Sequence, residues 1–185
     1  MSDGLEKFIK FGDEDDLQQI LSGNNKGVHP NELFSPDDGL VTPKVSRERS
    51  ASGKPTIVVV DDDYQALDIM KIYLSRDYEC AVFSDPKEAI FYLNTHLPDI
   101  IFLDSYMTMM STKRIMSIIR SYKELTRVPI YFMVYEEEKG VFETKPVPDV
   151  EGIITRPIAR GDLQKILDKE KLREYVEKDT SDTAT

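Results

Sequence analysis

Three consecutive aspartates, Asp61, Asp62 and Asp63, close the apolar run "TIVVV" at 56–60, and Asp104 closes the run "DIIFLD" at 99–104. Carboxylates gathered at buried strand ends repel one another and raise each other's pKa unless a cation sits among them. A hard divalent ion, Mg²⁺ above all, is the natural remedy, because it takes oxygen ligands and keeps positions open for water or phosphate. A carboxylate facing such an ion can act as a nucleophile toward phosphorus and form an acyl phosphate. Catalysis would then consist of positioning plus charge neutralisation. A single strand-end aspartate reads more simply as a helix N-cap. Asp63, just before the helix that starts near Tyr64, suits that role. For the cluster joined by Asp104, the metal reading is the stronger one.

These side chains meet only if the strands that carry them are neighbours. From Pro55 onward apolar strands alternate with amphipathic helices. The strands are "TIVVV" (56–60), "CAVF" (80–83), "DIIFLD" (99–104), "PIYFMVY" (129–135) and "GIIT" (152–155). Leu67, Met70 and Leu74 line a first helix. The stretch "SDPKEAIFYL" offers Asp85 as N-cap, Pro86 at the first helical position and Glu88 to complete a capping box. Ile115, Ile118, Ile119 and Tyr122 stripe a third helix, and Leu163, Ile166 and Leu167 begin a last one. Between Tyr135 and Gly152 the pattern weakens, and Pro146 and Pro148 forbid a long helix. Strands that read as continuous apolar runs are buried on both faces, and intervening helices imply right-handed crossovers. The expected body is therefore a three-layer, doubly wound α/β domain with a five-stranded parallel sheet. Ligands of such sheets bind beyond the carboxyl ends of the strands. That edge holds Asp61, Asp62, Asp63 and Asp104, then Val134 on the fourth strand and Thr155, Arg156 and Pro157 on the fifth.

The pieces "IVVVDDD", "PDIIFLD", "VPIYFMV" and "GIITRPI" resemble a response-regulator receiver domain of the CheY-like, flavodoxin-like superfamily, over residues 55–172. Val134 stands 30 residues and Arg156 52 residues beyond Asp104, where the family carries a hydroxyl residue and a lysine. The resemblance implies that Asp104 accepts a phosphoryl group from a histidine kinase or a phosphotransfer protein. It implies that Asp61 and Asp62 organise Mg²⁺ with Asp104 and the Tyr106 backbone carbonyl, the Tyr106 side chain standing over the pocket. It also implies a cis peptide before Pro157. The chain departs from the pattern in four places. Arg156 replaces a compact ammonium by a broad planar fork. Val134 cannot donate a hydrogen bond. Ile153 stands where a switch aromatic is usual, and "SYMTMMST" lacks the usual Pro-Gly turn. The alternative is thus a pseudo-receiver, a binding adaptor not regulated by phosphorylation. An enzyme of the haloacid-dehalogenase type would use Asp61 and Asp63, but Gln65 stands where Thr or Val is wanted. A flavodoxin is disfavoured because no Ser/Thr/Gly-rich phosphate loop follows the first strand.

The rest of the 185-residue chain narrows the setting. Apolar residues make up 40%, enough for a real core, and the formal net charge of -10 argues against a direct nucleic-acid partner. Cys80 cannot form an intrachain disulfide and reads as a buried structural thiol. No apolar run approaches a membrane span, and "MSDGLEKF" lacks a signal-peptide pattern. Residues 1–22 carry two short amphipathic helical patterns, 23–54 read as a flexible linker, and 173–185 as a helix end with a polar tail. His29 and His96 read as isolated, solvent-exposed side chains. The expectation is a cytoplasmic, standalone, non-enzymatic regulator that acts through a downstream protein partner, without direct DNA binding or membrane insertion.

Overall fold

Runs of β-branched and aromatic residues form strands because their branched side chains pack well on a pleated surface. In a computed structural model, which describes residues 53–145 and 147–172, five such runs do so. They are β1 (Thr56–Val60), β2 (Glu79–Phe83), β3 (Ile100–Asp104), β4 (Ile130–Tyr135) and β5 (Gly152–Arg156). All pair in parallel in the order β2-β1-β3-β4-β5. The expected five-stranded doubly wound sheet is thus present. Each expected strand is found within one residue of its predicted ends. The expected regions 1–22 and 173–185, and nearly all of 23–54, lie outside the described residues, as does His29.

Five helices cover the sheet: α1 (Tyr64–Leu74), α2 (Pro86–Leu93), α3 (Thr112–Ser121), α4 (Glu136–Thr144) and α5 (Arg160–Lys169). Leu67, Met70 and Leu74 of α1 join Leu163 and Leu167 of α5 against Ile57, Val59, Phe102 and Met133 on one face. Ala89, Ile90 and Leu93 of α2 join Ile115, Ile118 and Ile119 of α3 against Val58, Ile101 and Phe132 on the other. Each fully buried Leu or Ile contributes about 1.5–3 kcal/mol relative to exposure. Both central strands, β1 and β3, are buried along their whole length. The chain winds outward from β1 in both directions, so the switch point falls between β1 and β3. Val60 is in register with Leu103 there, and the next residues are Asp61, just past β1, and Asp104, the last residue of β3.

Local chemistry departs from the expectations in three small ways. Asp85 caps α2 by accepting from the Lys87 N–H at 2.7 Å, without the reciprocal bond that a box with Glu88 requires. Tyr122 belongs to no helix: α3 stops at Ser121, and the chain turns through a 3-10 segment at Lys123–Leu125. His96 is not isolated but stacks on Tyr92, with ring centroids 4.0 Å apart, and pairs with Thr95 at 2.9 Å. Helix α4 is short, as the prolines demand, and buries none of its residues. Phe142 alone leans edge-on toward Phe132, 5.8 Å away. Arg120 donates to the carbonyls of Leu125, Val128 and Asp149 at 2.6–2.9 Å, tying the lead-ins of β4 and β5 to α3.

Candidate functional site

The turn that follows β1 builds the acid cluster from backbone geometry. Asp61 is fully buried, and its Oδ1 accepts from the Asp63 N–H at 2.9 Å. Asp63 takes the expected helix-cap role, accepting from the Gln65 N–H at 2.9 Å in extended backbone geometry. Asp62 lies between the two, half-buried, and its Oδ2 accepts both the N–H and the hydroxyl of Thr108, at 3.0 and 2.7 Å. At the end of β3, Asp104 is buried, and its Oδ1 accepts from the Tyr106 N–H at 3.2 Å. Oδ2 of Asp104 has no protein partner among the described residues. Thr112, at the start of α3, donates to the carbonyls of Asp104 and Ser105 at 3.2 and 3.0 Å and fixes the exit from the strand. One oxygen each from Asp61, Asp62 and Asp104 lie within 4.8 Å of one another.

Arg156 enters this cluster from the end of β5. Its side chain is 7% exposed, and its Nη2 donates to Asp61 Oδ2 and lies 3.2 Å from Asp104 Oδ1. The peptide that follows, Arg156–Pro157, is cis, as the resemblance implies. The guanidinium carbon is 5.3 Å from the Tyr135 ring centroid. Burial dominates the electrostatics. It pushes the Asp104 carboxyl up to about 7; Arg156 pulls it down, while Asp61 and Asp62 add to the rise. Asp61 is likewise raised by burial, against the pull of Arg156. Burial works against the charge on Arg156, but Asp104 and Asp61 outweigh it and hold the guanidinium above its ordinary value.

The donor set suits a hard divalent cation: three carboxylates, each with an oxygen near a common point. A complication is that Arg156 already lies on two of them. Tyr106 meets the site through its N–H, and its side chain is exposed. Val134 is fully buried at the end of β4 and brings no hydroxyl, and Ile153 packs partly buried against the core. Cys80 is half-buried rather than buried, with its thiol pushed up to about 11 by burial, so it holds little thiolate.

Two groups escape sequence reasoning. Thr108 holds Asp62, and its only sequence signal is a hydroxyl four residues after Asp104. Glu138 bridges two strand exits, since its Oε2 accepts from the Ser105 hydroxyl at 3.2 Å and the Tyr135 N–H at 3.0 Å.

Comparison with known proteins agrees with this geometry. The family model described as "Response regulator receiver domain" matches residues 57–168. The chemotaxis response regulator CheY4 of Vibrio cholerae superposes with a TM-score of 0.55 at 21% identity, covering 63% of this chain and 98% of that one. A response regulator receiver modulated diguanylate cyclase from Pelobacter carbinolicus gives 0.53 at 18% identity, covering 66% and 98%. An adenylate cyclase from Rhodopirellula baltica gives 0.55 at 19% identity, covering 71% and 99%. At these identities the structures speak for the fold alone.

Proposed function

The chain belongs to the response-regulator receiver family, and from that premise we propose that Asp104 accepts a phosphoryl group from a histidine kinase or phosphotransfer protein. The supporting observation is the state of Asp104 itself. One carboxylate oxygen is held by Arg156 and the Tyr106 N–H, while the other has no protein partner among the described residues and is the nucleophile. In the transfer the P–N bond of a phosphohistidine breaks as the bond from Asp104 Oδ2 to phosphorus forms. The imidazole departs with the bonding pair and takes up a proton. Asp61, Asp62 and Asp104, with the Tyr106 carbonyl, would hold Mg²⁺, which when bound neutralises charge on the phosphoryl oxygens. Arg156 stands in for the family lysine as the fixed cation of the pocket. The chain is an acceptor and signalling partner and not an enzyme, passing its state on through a downstream protein partner. We place it in the cytoplasm; no helix among the described residues is long and apolar enough to cross a membrane. We read residues 55–172 as the receiver unit. The pseudo-receiver alternative has less support, because the three carboxylates still converge.

The test is phosphoryl labelling from a small phosphodonor, with and without Mg²⁺. The expected result is a hydroxylamine-sensitive label that needs Mg²⁺ and is lost in Asp104→Asn. An unmutated protein that takes no label overturns the proposal.

A further inference from the structure

Arg156 holds its carboxylates with only part of its donor set. Nη2 serves both Asp61 and Asp104, whereas Nε is buried with no partner among the described residues. A guanidinium carries five N–H donors, and a buried donor left unpaired is a standing cost. A further partner for the same charge is already in reach. The Tyr135 ring, half exposed, faces the guanidinium at cation–π range, with the centroid 5.3 Å from the guanidinium carbon. The ring borders a cavity of about 520 Å³ whose wall also includes Glu136, Glu137 and Pro157. An aromatic face at the edge of an open cavity leaves a guanidinium room to withdraw along it.

The seat between the two carboxylates is also where a metal would bind. Both oxygens of Asp61 are engaged, Oδ1 by the Asp63 N–H and Oδ2 by Arg156. Asp104 Oδ1 carries Arg156 and the Tyr106 N–H. A doubly charged ion on those oxygens would lie next to a guanidinium nitrogen, and like charges so close in a buried site repel strongly. A flexible ammonium can withdraw by small rotations, but a planar guanidinium whose Nη2 lies on both carboxylates must move as a rigid unit to yield them to an ion. Asp62 is different: its partner is the neutral Thr108, so it is the carboxylate open to an incoming cation.

We propose that Arg156 and a divalent cation compete for one seat between Asp61 and Asp104, and that cation entry shifts the guanidinium off the two carboxylates, leaving the face of Tyr135, which it already overlies, as its remaining partner. The inference rests on the reading of Asp61, Asp62 and Asp104 as the metal site. It makes Arg156 the residue that sets cation affinity and Tyr135 the residue that keeps hold of the guanidinium.

The experiment titrates the full chain with Mg²⁺ alone and follows backbone amide and arginine Nε–Hε resonances by NMR. In the unmutated protein the Arg156 Nε–Hε resonance is expected to move in step with the amides of Asp61, Asp62 and Asp104. Arg156→Gln should bind Mg²⁺ about tenfold or more tighter, and Tyr135→Leu, which removes the partner left to the displaced guanidinium, about threefold weaker. If Arg156→Gln does not fold, Arg156→Lys and the unmutated Nε–Hε resonance decide, with the lysine variant expected to bind tighter than the arginine protein. Affinities unchanged or weakened in both Arg156 variants, or an Nε–Hε resonance that stays still while the acid amides shift, overturn the competition. Mg²⁺-dependent labelling of Asp104 alongside that outcome leaves the acceptor reading intact. Absent labelling with the expected affinities overturns the acceptor reading and leaves the competition standing.

Discussion

At the ends of β1 and β3 every expected polar group is present and held. Asp61 is fixed by the Asp63 N–H, Asp62 by Thr108, and Asp104 by the Tyr106 N–H. On β4 and β5 the same sheet carries aliphatic groups, fully buried Val134 and partly buried Ile153, where the family pattern has a hydroxyl and an aromatic. The two halves obey different constraints. Valine and isoleucine preserve packing, which depends on shape and volume. Relaying a bound charge needs donors and a ring free to move, which shape cannot supply. The acid half can therefore remain intact while the sensing half does not, because Val134 and Ile153 fill the shared core without supplying a donor or a ring. Besides Glu138, which ties Ser105 to Tyr135, the residue that crosses the divide is Arg156. It is carried by β5 and paired with carboxylates of β1 and β3.

Breaking that crossing should give the largest effect. Arg156→Ala leaves two buried carboxylates unpaired and should cost about 3–5 kcal/mol in urea denaturation, with Arg156→Lys recovering part of it. A loss below about 1 kcal/mol would show that the halves are held together by packing alone. Next comes Asp104. Its carboxyl titrates at about 7 in the fold, against about 3.9 in an unfolded chain. Between those values the folded chain keeps a proton that the unfolded chain has released. This group's contribution therefore lowers stability as pH rises from about 4 to 7. Asp104→Asn removes that loss, so at pH 8 without Mg²⁺ it should be more stable by on the order of 2–4 kcal/mol, with no difference near pH 4. Equal stability at both pH values would deny the acid half its burial cost.

Val134→Thr sharpens the comparison from the other side. It sets a hydroxyl into a fully buried site, which should cost about 1–2 kcal/mol without phosphate. If β4 lacks only a donor, the same variant should accumulate more labelled Asp104 than the unmutated protein. Unchanged labelling would mean that Val134 is no part of the acceptor pocket. The smallest effect belongs to Thr108→Ala, which removes the hydroxyl donor from an exposed partner of Asp62 and should cost about 0.5–1 kcal/mol. Weaker Mg²⁺ binding without greater instability would mark Thr108 as a residue that orients Asp62.

Much of this was legible along the chain. The buried strands announce themselves as apolar runs, and Asp63 as a cap follows from its place before a helix. The convergence of Asp61 with Asp104 follows once a parallel doubly wound sheet is inferred, because such sheets put strand carboxyl ends on one edge. Tyr122 and His96 were misread because a helix's stop and a ring's neighbour depend on packing that periodicity does not encode. Thr108 left no signal beyond being a hydroxyl in a loop.

Residue order alone thus determined the sheet, its loaded edge and the identity of the acids and their altered companions, since these follow from local propensity and hydrophobic pattern. Only the tertiary structure decided that Arg156 lies across Asp61 and Asp104 with Tyr135 behind it. Asp61 and Arg156 are 95 residues apart. Their pairing depends on side-chain rotamers chosen in a buried, low-dielectric space where charges must find partners, and that space exists only after the five strands have assembled.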